Sequence, residues 1–242
     1  MISYEILSEK GSRSINEDSV GCMKGQSGFL AVLADGLGGH GQGEVASALA
    51  VEYSLRFFDS SGETEEKLLP GCVKAAQEAI LAEQTAHHCK NDMKTTLTLL
   101  YTTEDHARWL HVGDSRIYWF KKDRVMKRTL DHSVPQMLVA QGEIKEQEIR
   151  FHEDRNRLLR VLGIADTIPK CQVSEPIPID STTSFLLCSD GFWELIEEKE
   201  MQKLLKQSDT PKEWLHSMEK VVIRNGRDKK MDNYSAIAVF NR

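Results

Sequence analysis

Four aspartates border apolar, strand-like runs of the sequence. They occur in FLAVLADG (Asp35), WLHVGDSR (Asp114), FLLCSDG (Asp190) and MDNYSAIAV (Asp232), and each is closely followed by a small or polar turn residue. An ionised carboxylate at the edge of an apolar core is costly unless a cation or hydrogen-bond donors offset its charge. The repetition of this placement therefore predicts a ligand that the four aspartates share.

A hard divalent cation is the ligand that these residue types favour. Mg²⁺ and Mn²⁺ prefer carboxylate, carbonyl and water oxygens, whereas zinc prefers His and Cys. The sequence His87-His88-Cys89 does not supply a closed zinc site, because its ligands are adjacent and no partner cluster follows. The aspartates thus indicate Mg²⁺ or Mn²⁺ and point toward phosphate chemistry.

The composition argues against several classes of function. The 242-residue chain has a net charge of −6 and a pI of about 5.8, so it offers no basic footprint for nucleic acid. It has no run of about 18 apolar residues, and its N-terminus lacks the basic and apolar regions of a signal peptide. The five cysteines are odd in number and contain no CxxC pair, which is typical of reduced thiols. We therefore expect a cytoplasmic protein with no nucleic-acid and no membrane partner.

Runs rich in β-branched and aromatic residues predict a largely antiparallel sheet structure. The predicted strands are 29–34, 95–102, 107–120, 185–188 and 235–240, with weaker candidates at 4–7 and 124–129. The connection 103–106 is too short for a parallel crossover, so the strands on either side of it should be antiparallel neighbours.

Helical periodicity predicts two helical layers. One comprises residues 43–58 and 73–84, and the other lies late in the chain, where Thr210 precedes Pro211 at a plausible first helical position. The apolar stripe of this late helix consists of Trp214, Leu215, Met218, Val221 and Val222. A further helix is expected over 134–141, with Ser133 as its cap.

Taken in order, these motifs resemble the metal-dependent serine/threonine protein phosphatase family (PPM, type 2C), particularly its compact bacterial members. The corresponding segments are RSINEDS (13–19), LADGLGGHGQGEVAS (33–47), TTL (95–97), HVGDSRIY (111–118), LDHS (130–133), RNRLLRVLG (155–163), LLCSDG (186–191) and DNYSAIAV (232–239). A lone Asp-Gly is usually a turn, but eight segments in family order over nearly the whole chain are specific. The resemblance implies an α+β, four-layer α-β-β-α sandwich with two central antiparallel sheets flanked by helices. We expect one catalytic domain over 1–242, without an appended regulatory domain.

The resemblance also implies the metal ligands, which are Asp35, Gly36, Asp114, Asp190 and Asp232. Asp35 would bridge two Mg²⁺ or Mn²⁺ ions, with the Gly36 carbonyl on one of them. Asp190 and Asp232 would complete the protein ligands of the other ion. A third ion would be shared by Asp114 and Asp190.

The remaining site residues follow from the same resemblance. Glu17 and Asp18 would hold metal-bound waters in place. Arg13 would bind the substrate phosphate through its planar donor fork. Arg116, inside the VGDSR strand, is expected to have a structural partner instead and is left out of the catalytic set.

The implied reaction is the hydrolysis of phosphoserine and phosphothreonine in proteins, by in-line attack of a water or hydroxide that bridges the metals. None of the cysteines lies in a CxxxxxR phosphate loop, so no phosphoenzyme is expected. The general acid is unassigned, because Leu37 occupies the position of the histidine that is the candidate acid in eukaryotic members. His40 either orients the loop or acts directly as the acid.

Residues 134–155 correspond to the flap beside the bacterial active site, where His152, Arg155 and Arg157 either meet an acidic phosphopeptide or are ordinary solvated side chains.

The expected partners are phosphoserine and phosphothreonine proteins, including a Ser/Thr kinase or its substrates, and the expected state is a monomer. Two alternative functions stay open. One is a pseudophosphatase that binds phosphoproteins without turnover, which retention of Arg13 and of the aspartates disfavours. The other is a phosphatase dedicated to an anti-sigma-factor antagonist.

Overall fold

The computed structural model describes residues 1–38, 42–89, 92–165 and 168–241. The strands, in chain order, are β1 (Ile2–Glu9), β2 (Asp18–Gly25), β3 (Gly28–Asp35), β4 (Leu97–Thr102), β5 (His106–Val112), β6 (Arg116–Lys121), β7 (Arg124–Arg128), β8 (Ile177–Pro178), β9 (Thr183–Cys188) and β10 (Tyr234–Asn241). The helices are α1 (Gly43–Ser60), α2 (Glu65–Ala86), α3 (Val134–Gln141), α4 (Asp190–Trp193), α5 (Glu198–Lys206) and α6 (Pro211–Gly226), and a 3₁₀ helix spans Glu146–Phe151.

The strands form two five-stranded sheets. One has the order β1-β10-β9-β6-β7 and the other β2-β3-β4-β5-β8. All the strand pairs described in them are antiparallel. β4 and β5 are direct neighbours, with Leu97 opposite Val112 and Thr102 opposite Ala107, which confirms the prediction from their short connection.

In the central strands, alternate side chains pack against the helices and against the other sheet, which produces four layers. In β3, Leu30 and Val32 belong to the core cluster beneath α1 and α2, whereas Ala31 and Leu33 belong to the core between the sheets. Because successive side chains of a strand point to opposite faces, β3 is buried on both. In β10, Ala236, Ala238 and Phe240 pack in the cluster that contains α5 and α6, and Ile237 and Val239 in the inter-sheet core. The result is the predicted α-β-β-α sandwich.

One predicted strand is wrong. The run 107–120 is divided into β5 and β6, which lie in different sheets. The division falls at Gly113, whose φ of 106° lies in the region that favours glycine. A Cβ at this position would also collide with the Thr96 side chain. The chain therefore crosses between the sheets at this point, and Asp114 lies in the crossing.

The predicted helices are all present, some of them extended, and α4 and the 3₁₀ helix were not predicted. The predicted helix 73–84 is the middle of α2, which begins at Glu65 and contains Pro70. The Pro-Gly pair at 70–71 favours a turn in sequence, yet it lies inside this helix. α5 was not predicted. In α6, Thr210 Oγ1 accepts from the Glu213 amide at 3.2 Å, and Glu213 Oε2 accepts from the Thr210 amide at 3.3 Å, so the predicted start is a capping box.

All five cysteines are free thiols.

None of the described helices combines the length and the apolar character that crossing a bilayer requires.

Candidate active site

The aspartates identified in the sequence come together where strands of both sheets end. Asp35 is the last residue of β3, and Asp18 is the first residue of β2 and its cross-strand partner. Asp190 opens α4 just after β9, and Asp232 precedes β10 by one residue, Asn233. Asp114 lies in the crossing from β5 to β6. The two sheets thus deliver acidic side chains to one end of the sandwich.

The backbone around Asp35 is fully bonded. Its amide donates to Thr96 Oγ1 at 2.9 Å, and its carbonyl accepts from the Thr96 amide at 2.8 Å and from Thr95 Oγ1 at 2.9 Å. The side chain alone is left to interact with other groups. The two threonines just before β4 therefore fix the position from which the Asp35 carboxyl group enters the site.

Gly36 is fixed by close packing of the backbone. Its amide donates to the Glu17 carbonyl at 3.0 Å, and a Cβ at Gly36 would collide with the Gly43 carbonyl at the start of α1. A Cβ at Gly38 would likewise collide with the Glu17 carboxylate. Glycine is thus required here by the approach of α1 and of Glu17, in addition to any ligand of the Gly36 carbonyl. His40 lies outside the described residues.

Asp18 is a buried carboxyl group with an unsatisfied oxygen. Its Oδ2 accepts from Ser189 Oγ at 2.8 Å, whereas Oδ1 has no hydrogen-bond partner among the described residues. Burial, together with the negative charges of Asp190 and Asp232, raises the pKa of Asp18 to about 7. Ser189 was not predicted as a site residue, although it directly precedes Asp190.

The pKa values of Asp114, which is buried, and of Asp35 and Asp190, which are half-buried, are raised as well. Burial, followed by the charges of neighbouring carboxylates, raises the pKa values of Asp35 and Asp114 well above the ordinary range. Burial and Asp232 raise the pKa of Asp190 to about 6. The negative charge of Asp190 is among the causes that raise the pKa of Asp35, as expected of two carboxyl groups that lie close together. The described residues therefore do not neutralise this cluster.

Arg13 makes the one ion pair that reaches these acidic residues within the described part of the chain. Its Nη2 lies 2.7 Å from Asp232 Oδ2, and this bond raises the pKa of Arg13. The Arg13 side chain is 56% exposed, so its other N–H donors face solvent.

Asn233 positions the segment that carries Arg13 and Glu17, a role that the sequence did not predict. Its Nδ2 donates to the carbonyls of Lys10 and Ile15, both at 2.9 Å, and its Oδ1 accepts from the Glu17 amide at 2.9 Å. A single side chain thereby ties residues 10–17 to the start of β10.

The donor set fits a hard, hydrated divalent cation. No three His, Cys, Asp or Glu side chains form a metal-binding cluster in the described ranges. A closed site with three or four protein ligands, as in structural zinc centres, is therefore not present among these residues. Mg²⁺ and Mn²⁺ keep several waters and need few carboxylates each, and the unsatisfied Asp18 oxygen and the raised pKa values indicate where positive charge is missing.

Arg116 has a structural partner, as predicted. Its Nε and Nη2 donate to the two oxygens of Asp131 at 2.9 and 2.7 Å, and its guanidinium lies over the Trp193 ring at 3.4 Å from the centroid. Trp193 Nε1 in turn donates to the Asp114 carbonyl at 3.1 Å. Arg116 and Trp193 thus help to fix the backbone at Asp114.

A cleft of about 470 Å³ opens beside Asp190 and Asp232. Of the flap residues singled out in the sequence, Arg155 lines it, with Nε 3.1 Å from Glu194 Oε1. Burial and Asp190 raise the pKa of Glu194 to about 7. His152 and Arg157 instead bond locally to Asp154. Glu194 was missed because nothing in its sequence context indicates the cleft.

Comparison with known proteins gives a consistent result. The family model for protein phosphatase 2C matches residues 8–233. The serine/threonine phosphatase stp of Listeria innocua is 30% identical over 214 residues, covering 85% of this chain and 84% of the relative. The serine/threonine protein phosphatase PstP of Mycobacterium tuberculosis is 30% identical over 229 residues, covering 93% of this chain and 43% of the relative.

Two solved structures extend the comparison to the fold. The serine/threonine phosphatase Stp1 from Staphylococcus aureus superposes with a TM-score of 0.89 at 26% identity, over 100% of this chain and 96% of that one. The catalytic domain of PstP in complex with two manganese ions gives a TM-score of 0.80 at 28% identity, over 99% and 97% of the two chains.

Proposed function

The chain belongs to the protein phosphatase 2C family, and we propose on this basis that it is a metal-dependent phosphatase that hydrolyses phosphoserine and phosphothreonine in proteins. One observation of the structure carries the proposal. Buried carboxyl groups from both sheets converge at one end of the sandwich, and the described residues do not neutralise them. A protein retains such an arrangement at a functional site, since it is costly elsewhere.

The proposed cofactors are two Mg²⁺ or Mn²⁺ ions. Asp35, Gly36, Asp190 and Asp232 would hold them, and Asp114 would share a third ion with Asp190. When bound, the ions supply a water of lowered pKa and offset the charge that develops on the phosphoryl group. The two manganese ions of the PstP catalytic domain support this class of cofactor.

The chain's own residues orient the components. Glu17 and Asp18 lie beside the ligands and would accept hydrogen bonds from ordered waters. Arg13 projects exposed donors next to Asp232, where a phosphate would meet a planar, charged fork. Asn233 keeps Arg13 and Glu17 in register by fixing the backbone of residues 10–17.

The proposed partners are phosphoserine and phosphothreonine proteins, including a Ser/Thr kinase or its substrates. We further propose that the protein acts in the cytoplasm as a monomer and forms one catalytic domain over residues 1–242. The names of the relatives support the class of substrate.

Phosphate release from a phosphothreonine peptide in the presence of Mn²⁺ tests the proposal. Wild type should release phosphate, and both EDTA and Asp190→Ala should abolish the release. Asp59→Ala, which removes an exposed carboxylate on α1, is the matched control and should retain activity. A folded, Mn²⁺-loaded wild type that binds the phosphopeptide without releasing phosphate would contradict the proposal and favour a phosphoprotein-binding role.

A further inference from the structure

The cleft beside Asp190 and Asp232 has a rim of positive charge. The cations that line it away from Arg13 are Arg150, Arg155, Lys229 and Lys230. They come from two places in the chain, the flap and the turn between α6 and β10. The lining of the cleft thus combines carboxylates with cations.

The two arginines of this rim are already paired. Arg150 Nη2 lies 2.8 Å from Glu198 Oε1, and Arg155 Nε lies 3.1 Å from Glu194 Oε1. Lys229 and Lys230 are exposed, and neither forms an ion pair with any residue that the structure describes. The lysines are therefore the cations of the rim that remain available for an external anion.

The lysine turn is held next to the phosphate-binding segment. The Ser12 amide donates to the Met231 carbonyl at 3.0 Å, and the Met231 amide donates to Ser12 Oγ at 3.2 Å. The Lys229 amide donates to the Gly226 carbonyl at 2.9 Å, which fixes the turn to the end of α6. Two lysines are thus anchored beside the residue that precedes Arg13.

The charge of the two lysines differs in sign from the net charge of the protein. The protein carries a net charge of −6, which disfavours the approach of an acidic phosphoprotein to its surface in general. Two lysines without an ion pair to any described residue place positive charge at the rim of the cleft, where such a substrate would bind. Flexible ammonium groups with three donors each suit anionic groups of varied position.

We propose that Lys229 and Lys230 form a specificity site for substrates in which an anionic group adjoins the phosphoresidue. The anionic group is an acidic side chain or a second phosphoryl group, which share the same chemistry toward an ammonium. Arg13 receives the reacting phosphate, and the lysines receive its neighbour. This inference rests on the proposed phosphatase function and names the substrate class of that site.

The test compares phosphothreonine peptides that differ only beside the phosphoresidue. One peptide carries glutamates, one glutamines and one a second phosphothreonine, and kcat/KM is measured with Mn²⁺-loaded enzyme. Wild type should prefer the glutamate or the doubly phosphorylated peptide over the glutamine peptide by about three- to tenfold, since two exposed charge pairs contribute modestly. The preference should shrink as salt is raised.

Matched variants locate the effect. Lys229→Gln with Lys230→Gln should bring the ratio close to one, mainly through KM, whereas Lys229→Arg with Lys230→Arg should preserve it. Lys212→Gln with Lys220→Gln removes two exposed charges of α6 and should leave the ratio as in wild type.

Three outcomes would overturn the inference. The inference would be wrong, and the proposed function unaffected, if wild type hydrolysed all peptides without preference. The same would hold if the Lys229→Gln and Lys230→Gln double variant lost activity equally on all peptides. Absence of hydrolysis of every peptide by folded, Mn²⁺-loaded wild type would overturn the proposed function and this inference with it. A preference for the doubly phosphorylated peptide alone would support the inference and identify phosphate as the anionic group.

Discussion

Asp131 is a buried carboxyl group, as are Asp18 and Asp114 of the candidate site, and Asp35 lies half-buried beside them, but among these four only Asp131 has a cationic partner in the described part of the chain. Asp131 receives two hydrogen bonds from Arg116, and the two side chains are 1% and 3% exposed. Asp18, Asp35 and Asp114 form no ion pair with the described residues, and burial together with mutual repulsion raises their pKa values. The described residues thus compensate the charge of Asp131 but not the charges of Asp18, Asp35 and Asp114.

This difference separates a structural from a functional carboxylate. A buried ion pair roughly offsets its desolvation when its geometry is good, so the Arg116–Asp131 pair is compatible with a purely structural role. A cluster of like charges has no such compensation and lowers the stability of the protein that carries it. Its presence is explained if the protein is selected for binding a cation there.

Asp35→Asn should give the largest effect and should separate activity from stability. Removing the proposed bridging carboxylate is expected to lower kcat by about 10³-fold, because the site loses charge where the metals act. The same change removes one uncompensated charge, so the free energy of unfolding of the metal-free protein should rise by about 1–3 kcal/mol. Phosphate release and urea unfolding in EDTA measure the two effects. A variant that loses stability in EDTA would contradict the comparison.

Asp131→Asn should lower the free energy of unfolding, in contrast to Asp35→Asn. It removes the nearer carboxylate of the buried Arg116 guanidinium and leaves only Glu198, at 3.8 Å, and breaking a buried pair in this way typically costs about 3–5 kcal/mol of unfolding free energy. The matched control is the double variant Arg116→Met with Asp131→Leu, which removes both charges and should recover much of the loss. Urea unfolding of the three proteins tests this. Equal stability of Asp131→Asn and wild type would show that the pair is not a structural element.

The sequence predicted the aspartates of the candidate site much better than the Arg116–Asp131 pair. Asp35 and Asp190 could be identified because Asp35 directly follows an apolar run of strand length and Asp190 follows one after a single serine, which is a local signal. The partnership of Arg116 with Asp131 spans fifteen residues and depends on how β6 lies against the following turn, so only the need for some partner was predictable. Asn233 binds residues more than 200 positions away, and no local pattern reports such a contact.

The errors in secondary structure have the same origin. β5 and β6 are separated only by Gly113, Asp114 and Ser115, and so short a polar break does not indicate that the two strands lie in different sheets. α5 has the sequence EKEMQKLLK and buries only Met201 and Leu205, so its apolar stripe is too short to predict a helix. Tertiary packing, which pattern analysis does not contain, decides both cases.

Metal removal should make stability depend on pH. The pKa values of Asp18 and Asp190 in the fold are about 7 and about 6, above the ordinary value of 3.8, so the folded protein holds protons that the unfolded chain releases. The stability that these groups contribute is full below about pH 4 and is lost as pH rises through 6 and 7. In EDTA, the free energy of unfolding should therefore fall between pH 5 and 7.5.

Mn²⁺ should reverse this loss at pH 7.5. At a concentration 100 times its Kd, a ligand specific for the folded state adds about 2.7 kcal/mol. Asp35→Asn provides the control, because its gain from Mn²⁺ should be much smaller. An increase in the stability of wild type from pH 5 to 7.5 in EDTA, or an equal gain from Mn²⁺ in both proteins, would argue against an uncompensated metal cluster.

Thr210→Ala should give the smallest effect and provides a baseline for the others. Thr210 caps α6, which buries Trp214, Leu215 and Met218 against the sheet containing β10 and contributes no residue to the proposed metal site. Loss of the hydrogen bond from the Glu213 amide should cost about 1 kcal/mol. Thr210→Ser keeps a hydroxyl group and should recover most of it. Because the cap touches neither group of carboxylates, kcat and the pH dependence of stability should match wild type. A change in either would mean that α6 communicates with the site, and effects on stability and on charge could then no longer be assigned separately to the two regions.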